Sequence, residues 1–337
     1  MLRERASHVN SHVLHSELQV LELRLHPCRR EPLFKKCARC AKLIAAHTSQ
    51  EQPVKIEGTS VAADAFRSRG PTLLTHYHRD HMQGIERLQP GCTVYCSELS
   101  ARLLEHLDNV PRELIRPVRE GEKFEPQEGV QVTALAANHC LGSLMFLVET
   151  GGGRTLYTGD FRLNDEIRRE CERLAGLDLL YVDSTYDAPH YRFPPQHVAI
   201  EQILDIIRRK RSRRVNLAVY TVGKDRILQA VHSEFREPIY MTERKFHACQ
   251  LMELGHLATR NKDDTRFCAY SRGYLEHYYL MSRASRSPDT LVIVPTGFAV
   301  DARPESNFHY VAYSEHCDHA ELNEFKQLIK ARRTVPI

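Results

Sequence analysis

Tryptophan is absent from the 337 residues, and charge of one sign is scarce: 47 Lys and Arg stand against 43 Asp and Glu, for a formal net charge of +4. So mild a balance accommodates a polyanionic partner without requiring one. Long hydrophobic runs are missing too. None approaches the roughly 20 residues that cross a bilayer, and the longest, such as Leu291 to Val294, are strand-sized. No membrane partner is expected. The opening residues, MLRERASHVNSHVLH, contain no apolar stretch of the kind a secretory leader carries. A reducing compartment is therefore expected, with the ten cysteines as free thiols or ligands rather than disulfides.

What is present is a chain able to bury a core, with 42% hydrophobic and 27% charged residues. Its length suits about two domains, or one large domain with an insertion. Residues 1–51 are loosely patterned, with a short amphipathic stretch from Leu18 to Leu25 and a Cys/His-bearing segment, HPCRREPLFKKCARC. His26, Cys28, Cys37 and Cys40 have part of the spacing of a small zinc site, although a loosely docked arm is the plainer reading. From Pro53 apolar strands and amphipathic helices alternate, as in an α/β protein. Strands are expected at 72–76, 92–96, 130–137, 143–150, 154–160 and 177–185, with helices at 97–107 and 164–176. After the Pro-rich HYRFPPQ a second α/β pattern follows. Its first helix sets Ile200, Ile203, Leu204 and Ile207 on one face.

Nineteen histidines are many for this length, and their spacing is informative. Thr75-His76-Tyr77-His78-Arg79-Asp80-His81 packs three imidazoles and a carboxylate into the end of an apolar strand. Neutral imidazole and carboxylate are the usual nitrogen and oxygen ligands of zinc. His76 and His78 can address one ion, while Asp80 and His81 can address a second. Further ligand candidates stand at other strand ends: His139 in ANHCLGS, Asp160 in YTGDFR and His316 in YSEH. Singly, each has a plainer reading as a turn or a satisfied core histidine. Together they describe a metal centre.

HxHxDH followed by a strand-end His and then TGD resembles the metallo-β-lactamase fold. Asp64 in AADAF matches that superfamily's leading aspartate. DAF, LTHYHRDHMQG, ANHCLGS, LYTGDFR, VDSTYDAP and YSEHCDHAEL together resemble the DNA cross-link repair nucleases of its β-CASP branch, over about residues 54–337. The resemblance implies a metallo-β-lactamase αββα sandwich at 52–187 and 304–337, with an α/β β-CASP domain inserted at 188–303. It also implies that His76, His78, His139 and Asp160 hold a first metal, zinc. Asp80, His81 and Asp160 hold a second divalent ion (zinc, magnesium or manganese), with Asp160 bridging. Asp64 orients the histidine block by hydrogen bonds. Asp183 and His316 match two β-CASP motifs and serve the leaving oxygen, Asp183 keeping His316 charged and aimed.

A nuclease also needs grips on phosphate. Lys224 in TVGK, Thr296 in PTG and Ser314 all lie at strand-to-turn junctions where donors can converge on one terminal phosphate. Arg208, Arg209, Lys210, Arg211, Arg213 and Arg214 form a basic run suited to a helix C-terminus, to duplex DNA or to nuclear import. Two departures from the family pattern stand out. Leu141 replaces a proline, and Cys317-Asp318-His319 replaces Ser-Ser-Tyr. Asp318 is expected to face away from any phosphate, as a cap on the helix that follows. The expected function is metal-dependent hydrolysis of DNA phosphodiesters from 5′-phosphorylated ends, in cross-link or end repair in the nucleus, with repair proteins as partners. The alternatives are an RNA-processing nuclease of the same branch and a catalytically weak DNA-end-binding scaffold. GDFR and YSEH favour DNA.

Overall fold

In the computed structural model, residues 54–66, 69–271, 289–298 and 307–337 are described. The Cys/His segment with His26, Cys28, Cys37 and Cys40, and the stretch from Leu18 to Leu25, lie outside them. The first sheet runs β1 (Val54–Lys55), β2 (Ala62–Ala63), β3 (Pro71–Leu73), β4 (Thr93–Ser97) and β5 (Ile115–Val118) in sequential order, with α1 (Glu98–Asp108) between β4 and β5. Ser97 starts α1 by accepting the Ser100 N–H at 3.1 Å, as an N-cap serine does.

The second sheet begins as an antiparallel meander of β6 (Lys123–Gln127), β7 (Val130–Ala136), β8 (Leu144–Thr150) and β9 (Gly153–Tyr157). After α2 (Asp165–Leu174), β10 (Leu179–Val182) adds in parallel to β9. Alternation divides these strands between two cores. Val130, Val132, Leu144, Phe146, Val148, Leu179 and Tyr181 meet Ile56, Val61 and Leu73 of the first sheet. Leu135, Met145, Leu147, Leu156, Leu180 and Val182 face the helices on the other side.

The third sheet is wholly parallel. Its elements are α3 (Gln196–Lys210), β11 (Arg214–Ala218), α4 (Asp225–Phe235), β12 (Ile239–Met241), α5 (Glu243–Leu251), β13 (Ala258–Thr259), β14 (Phe267–Tyr270), β15 (Thr290–Thr296) and β16 (Phe308–Ala312). The order β13-β12-β14-β11-β15-β16 places β11 at the centre. Its hydrophobic cluster is continuous with Leu103 and Leu104 of α1, so the third sheet and its helices pack on the outer side of the first sheet. The chain then forms α6 (His319–Ile329), which joins α2 on the second sheet, and β17 (Arg333–Pro336), which pairs in parallel with β10. Helix, sheet, sheet and helix are thereby stacked in that order.

The expected boundary at 304 needs correction. Phe308–Ala312, placed by that boundary in the first domain, pairs with β15 from Val292–Phe308 to Thr296–Ala312. The parallel register with a buried strand claims β16 for the third sheet, and the chain returns to the sandwich only after Ala312. The seven described cysteines are free thiols. No described helix is long and apolar enough to cross a membrane.

One glycine bears on the site directly. Gly159 has φ +50°, and a Cβ there would lie 2.6–2.7 Å from the Thr75 side chain. Thr75 is fully buried and cannot retreat. Gly159→Ala is expected to cost about 2–4 kcal/mol from overpacking and left-handed backbone. Urea unfolding measures it, and an unchanged midpoint would show that the two loops can part freely.

Candidate active site

The chemistry-bearing loops all follow strands whose carboxyl ends meet. Leu74 donates its N–H to Tyr95 O at 2.8 Å, and Thr75 O accepts the Leu144 N–H at 2.8 Å. The His76 loop is therefore tied to both sandwich sheets. His139 follows β7, Asp160 follows β9 and Asp183 follows β10, while His316 follows β16. Asn138 takes φ +51° to turn the chain before His139 and donates from Nδ2 to Arg162 O at 2.9 Å.

Hydrogen bonds fix which nitrogen of each imidazole points inward. His139 Nδ1 donates to Glu315 O at 2.9 Å, and His78 Nε2 donates to Val222 O at 3.0 Å. The Thr75 hydroxyl donates to Asp64 Oδ2 at 2.7 Å, so at 3.0 Å it accepts from His76 Nδ1. His81 Nδ1 donates to the same Asp64 oxygen at 2.9 Å. With one nitrogen of each ring committed outward, His76 Nε2, His78 Nδ1 and His139 Nε2 present lone pairs to a common space, and His81 Nε2 faces Asp160. Outer partners of this kind set the tautomer and aim of metal-binding histidines.

The inward atoms crowd together. His76 Nε2 is 2.8 Å from His78 Nδ1, and His139 Nε2 is 3.2 Å from it. Asp160 Oδ2 lies 3.6 Å from His76 Nε2, 3.5 Å from His139 Nε2 and 3.3 Å from His81 Nε2. Ligands about 2 Å from one tetrahedral ion stand roughly 3.3 Å apart. Lone pairs turned on one another at these distances repel unless a cation lies between them, so the donor set of His76, His78, His139 and Asp160 fits a divalent metal. All four ligand atoms lie within 4.8 Å of one another. Burial holds His76, His78 and His139 below the usual imidazole range, in the neutral form that ligation needs. At Asp160 burial acts to raise the pKa, but His81 and His316 outweigh it and hold the carboxyl well below its usual range. His81 behaves oppositely to the other three: burial acts to lower its pKa, and Asp160 and Asp64 outweigh it.

Asp64 itself has φ +48°. Besides His81 and the Thr75 hydroxyl it accepts the Thr75 N–H at 2.8 Å, so one carboxylate aims two of the imidazoles. Asp80 is exposed and lies outside the grouped ligand atoms. His81 Nε2 comes within 3.3 Å of Asp160 Oδ2, and the Asp80 carboxylate acts electrostatically on His78. A short turn, with the His81 N–H on His78 O at 3.2 Å, closes the histidine block.

His316 Nε2 is 3.8 Å from Asp160 Oδ2, and its Nδ1 donates to Asp183 Oδ2 at 2.8 Å. The other Asp183 oxygen accepts the Thr185 N–H at 2.9 Å and hydroxyl at 2.7 Å. Burial acts to lower the His316 pKa, but Asp183 and Asp160 outweigh it and push it up to about 9.

The three expected phosphate grips fare differently. Ser314 Oγ donates to His316 O at 2.9 Å and accepts the His316 N–H at 3.0 Å, so its hydroxyl proton is spent on shaping the His316 turn. Thr296 Oγ1 accepts the Phe298 N–H at 3.3 Å. Lys224 has φ +59°, its N–H donates to Glu315 Oε1 at 2.8 Å, and its ammonium stands 4.0 Å from the Tyr220 ring centroid. Asp318 caps α6 by accepting the Ala320 and Glu321 N–H groups at 2.9 Å, and it takes the Phe193 N–H at 3.0 Å. Its neighbours also turn elsewhere: Cys317 is buried beside α2, and His319 pairs with Asp187 at 3.0 Å. In the basic run, Arg208 is held by Glu201, Asp205 and Glu234 at 2.6–3.0 Å.

Sequence reasoning overlooked Thr75, Glu315 and the Val222 carbonyl. Thr75 sits within the histidine block and Glu315 beside His316, so their positions offered a signal. A backbone carbonyl offers none.

A sandwich of two sheets flanked by helices, with a histidine and aspartate centre at its strand ends, defines the metallo-β-lactamase fold. A β-lactamase superfamily domain matches residues 49–218. The chain belongs to that superfamily. Among its relatives, the 5′ exonuclease Apollo of Gallus gallus is 36% identical over 289 residues, covering 84% of this chain and 62% of the relative. Apollo of Mus musculus is 31% identical, with 84% and 54% covered. The human DNA cross-link repair 1A protein is 27% identical, with 84% and 30% covered. The chain thus spans less than two thirds of these relatives. A crystal structure of a protein of unknown function from Enterococcus faecalis V583 shares the fold, with a TM-score of 0.59 at 16% identity over 79% of this chain and 75% of that one.

Proposed function

We propose that this chain is a metal-dependent nuclease that hydrolyses DNA phosphodiesters from a 5′ end, in cross-link or end repair in the nucleus. The observation that carries the reading is the ring of inward lone pairs around Asp160, with a carboxylate-anchored His316 beside it. His76, His78, His139 and Asp160 would hold the first metal, for which an all nitrogen and oxygen donor set suits zinc. Asp80, His81 and Asp160 would hold a second divalent ion (zinc, magnesium or manganese). Divalent cations bound here lower the pKa of water and neutralise charge on the reacting phosphate.

The chain's own residues supply the rest. Asp64 and the Glu315 and Val222 carbonyls keep the imidazoles aimed and in the required tautomer. His316 holds a proton at Nε2 for the departing oxygen, and Asp183 keeps that ring charged and fixed. Lys224 and Thr296 are the grips proposed for a terminal 5′-phosphate, since Ser314 gives its hydroxyl proton to His316 O. Repair proteins are the proposed partners besides DNA.

The test uses end-labelled, 5′-phosphorylated single-stranded DNA. Mononucleotides should leave from the 5′ end, chelator should stop their release, and added zinc should restore it. Lys224→Ala should reduce the preference for 5′-phosphate over 5′-hydroxyl. A charge pair near 4 Å contributes about 1–4 kcal/mol according to screening, so a loss of at least roughly fivefold is expected. Cleavage of RNA but not DNA would replace this reading with RNA processing. Tight DNA binding without cleavage in any divalent metal would replace it with a scaffold.

A further inference from the structure

We infer that Phe298 is a stacking platform for an unpaired nucleobase of the strand whose phosphodiester lies at His316. The inference rests on the nuclease reading and deepens it. Among the described residues the exposed large hydrophobics are Leu141, Val198, Tyr220 and Phe298, and Phe298 is 43% exposed. The exposed part of a benzyl group forgoes the stabilisation of burial, and the backbone here fixes where the ring stands. Gly297 has no side chain to keep the backbone off the Tyr186 ring: a Cβ would stand 2.3 Å from Tyr186 Cζ. The Phe298 N–H bonds to Thr296 Oγ1 at 3.3 Å and sets the turn. The position of Phe298 is thus fixed by close backbone packing and a hydrogen bond.

Among the described residues the ring is the most exposed member of an aromatic wall that starts at the reactive histidine. Tyr186 lies 5.7 Å from His316, centroid to centroid, at 85°. Phe298 lies 5.3 Å from Tyr186 at 63° and 6.4 Å from Tyr191 at 82°. Phe193 closes the wall at 4.9 Å from Tyr186. Two ring contacts separate Phe298 from His316, within reach of a base near a phosphate held there. Phenylalanine offers no hydrogen bond and no charge, so it can grip neither phosphate nor sugar. What it offers is a π-face, and every base has one. Stacking of this kind is tolerant of sequence, which suits an enzyme that removes nucleotides one after another.

The measurement compares the parent chain with Phe298→Ala, Phe298→Leu and Phe298→Trp on 5′-phosphorylated single-stranded DNA. The same strands are also made with an abasic tetrahydrofuran unit at successive positions near the 5′ end. Expected is a rise in KM of roughly 5- to 100-fold for the alanine and leucine variants, with kcat little changed and the tryptophan variant near the parent. At one abasic position the parent should weaken to the level of the alanine variant, which itself does not change. An alanine effect that is equal with and without the base, or rescue by leucine, would overturn the platform and point to plain apolar contact. A 2-aminopurine base at that position, read by fluorescence in chelator, judges stacking apart from cleavage. Quenching by the parent and not by Phe298→Ala supports the platform, and no difference overturns it. A parent chain that cuts no DNA would overturn the nuclease reading alone.

Discussion

Asp160→Ala is expected to abolish both metal binding and DNA cleavage. Its Oδ2 stands 3.3–3.8 Å from the inward nitrogens of His76, His81, His139 and His316. No other described side chain faces all four. Loss of a partner that merely orients a ligand costs roughly 10–100-fold in metal affinity or activity. Removing the carboxylate that lies against four of the five rings should exceed that. The metal-free chain should respond as well. His81 owes its raised pKa to Asp160 and Asp64, in that order, against burial, so without Asp160 it loses its larger support for the charged form. Metal content after dialysis and the rate on labelled DNA are the two readouts. Retention of tightly bound zinc with a near-parental rate would sink the assignment of Asp160 as the shared ligand.

His316→Ala is expected to keep the first metal and slow cleavage by roughly 10²–10⁴-fold, the range for a lost general acid. Asp183→Asn should lose less, for a reason visible in its contacts. One Asp183 oxygen receives the Thr185 N–H and hydroxyl, and the other receives His316 Nδ1–H. An amide has a single accepting oxygen. It must turn its NH2 toward either the threonine donors or the imidazole, so the ring is left loosely aimed and less readily charged. Metal analysis beside the rate separates this role from ligation. Asp160, Asp183 and His316 also have ligand atoms within 4.8 Å of one another. Loss of tightly bound metal from His316→Ala would therefore make His316 a ligand and overturn its place as proton donor.

Much of this protein was legible without coordinates because the relevant interactions are short-ranged. The apolar runs at 130–137 and 143–150 read as strands, and strands form there as an antiparallel pair buried on both faces. Asp318 before AELNEF reads as a helix cap and is one, since its carboxylate reaches N–H groups only two and three residues ahead. Imidazoles two residues apart at a strand end announce a metal centre for the same reason: the spacing alone brings their nitrogens together.

Tertiary structure decided what depends on chain segments far apart. His78 is aimed by the carbonyl of Val222, 144 residues away, and His139 by that of Glu315, 176 residues away. Any residue type supplies a carbonyl, so no pattern marks either position. Ser314 looked like a phosphate donor until the turn at His316 claimed both ends of its hydroxyl. Phe308–Ala312 could extend either the sandwich or the third sheet by composition, and the parallel register with β15 settled it. Asp80 and His81 are adjacent in sequence, yet Asp80 is exposed while His81 is buried against Asp160. Residue types and spacings thus determined which chemistry the chain carries. Sheet register and backbone partners across the fold decided which of those groups face one another, because hydrogen-bond geometry is directional and its partners are chosen only once distant strands have paired.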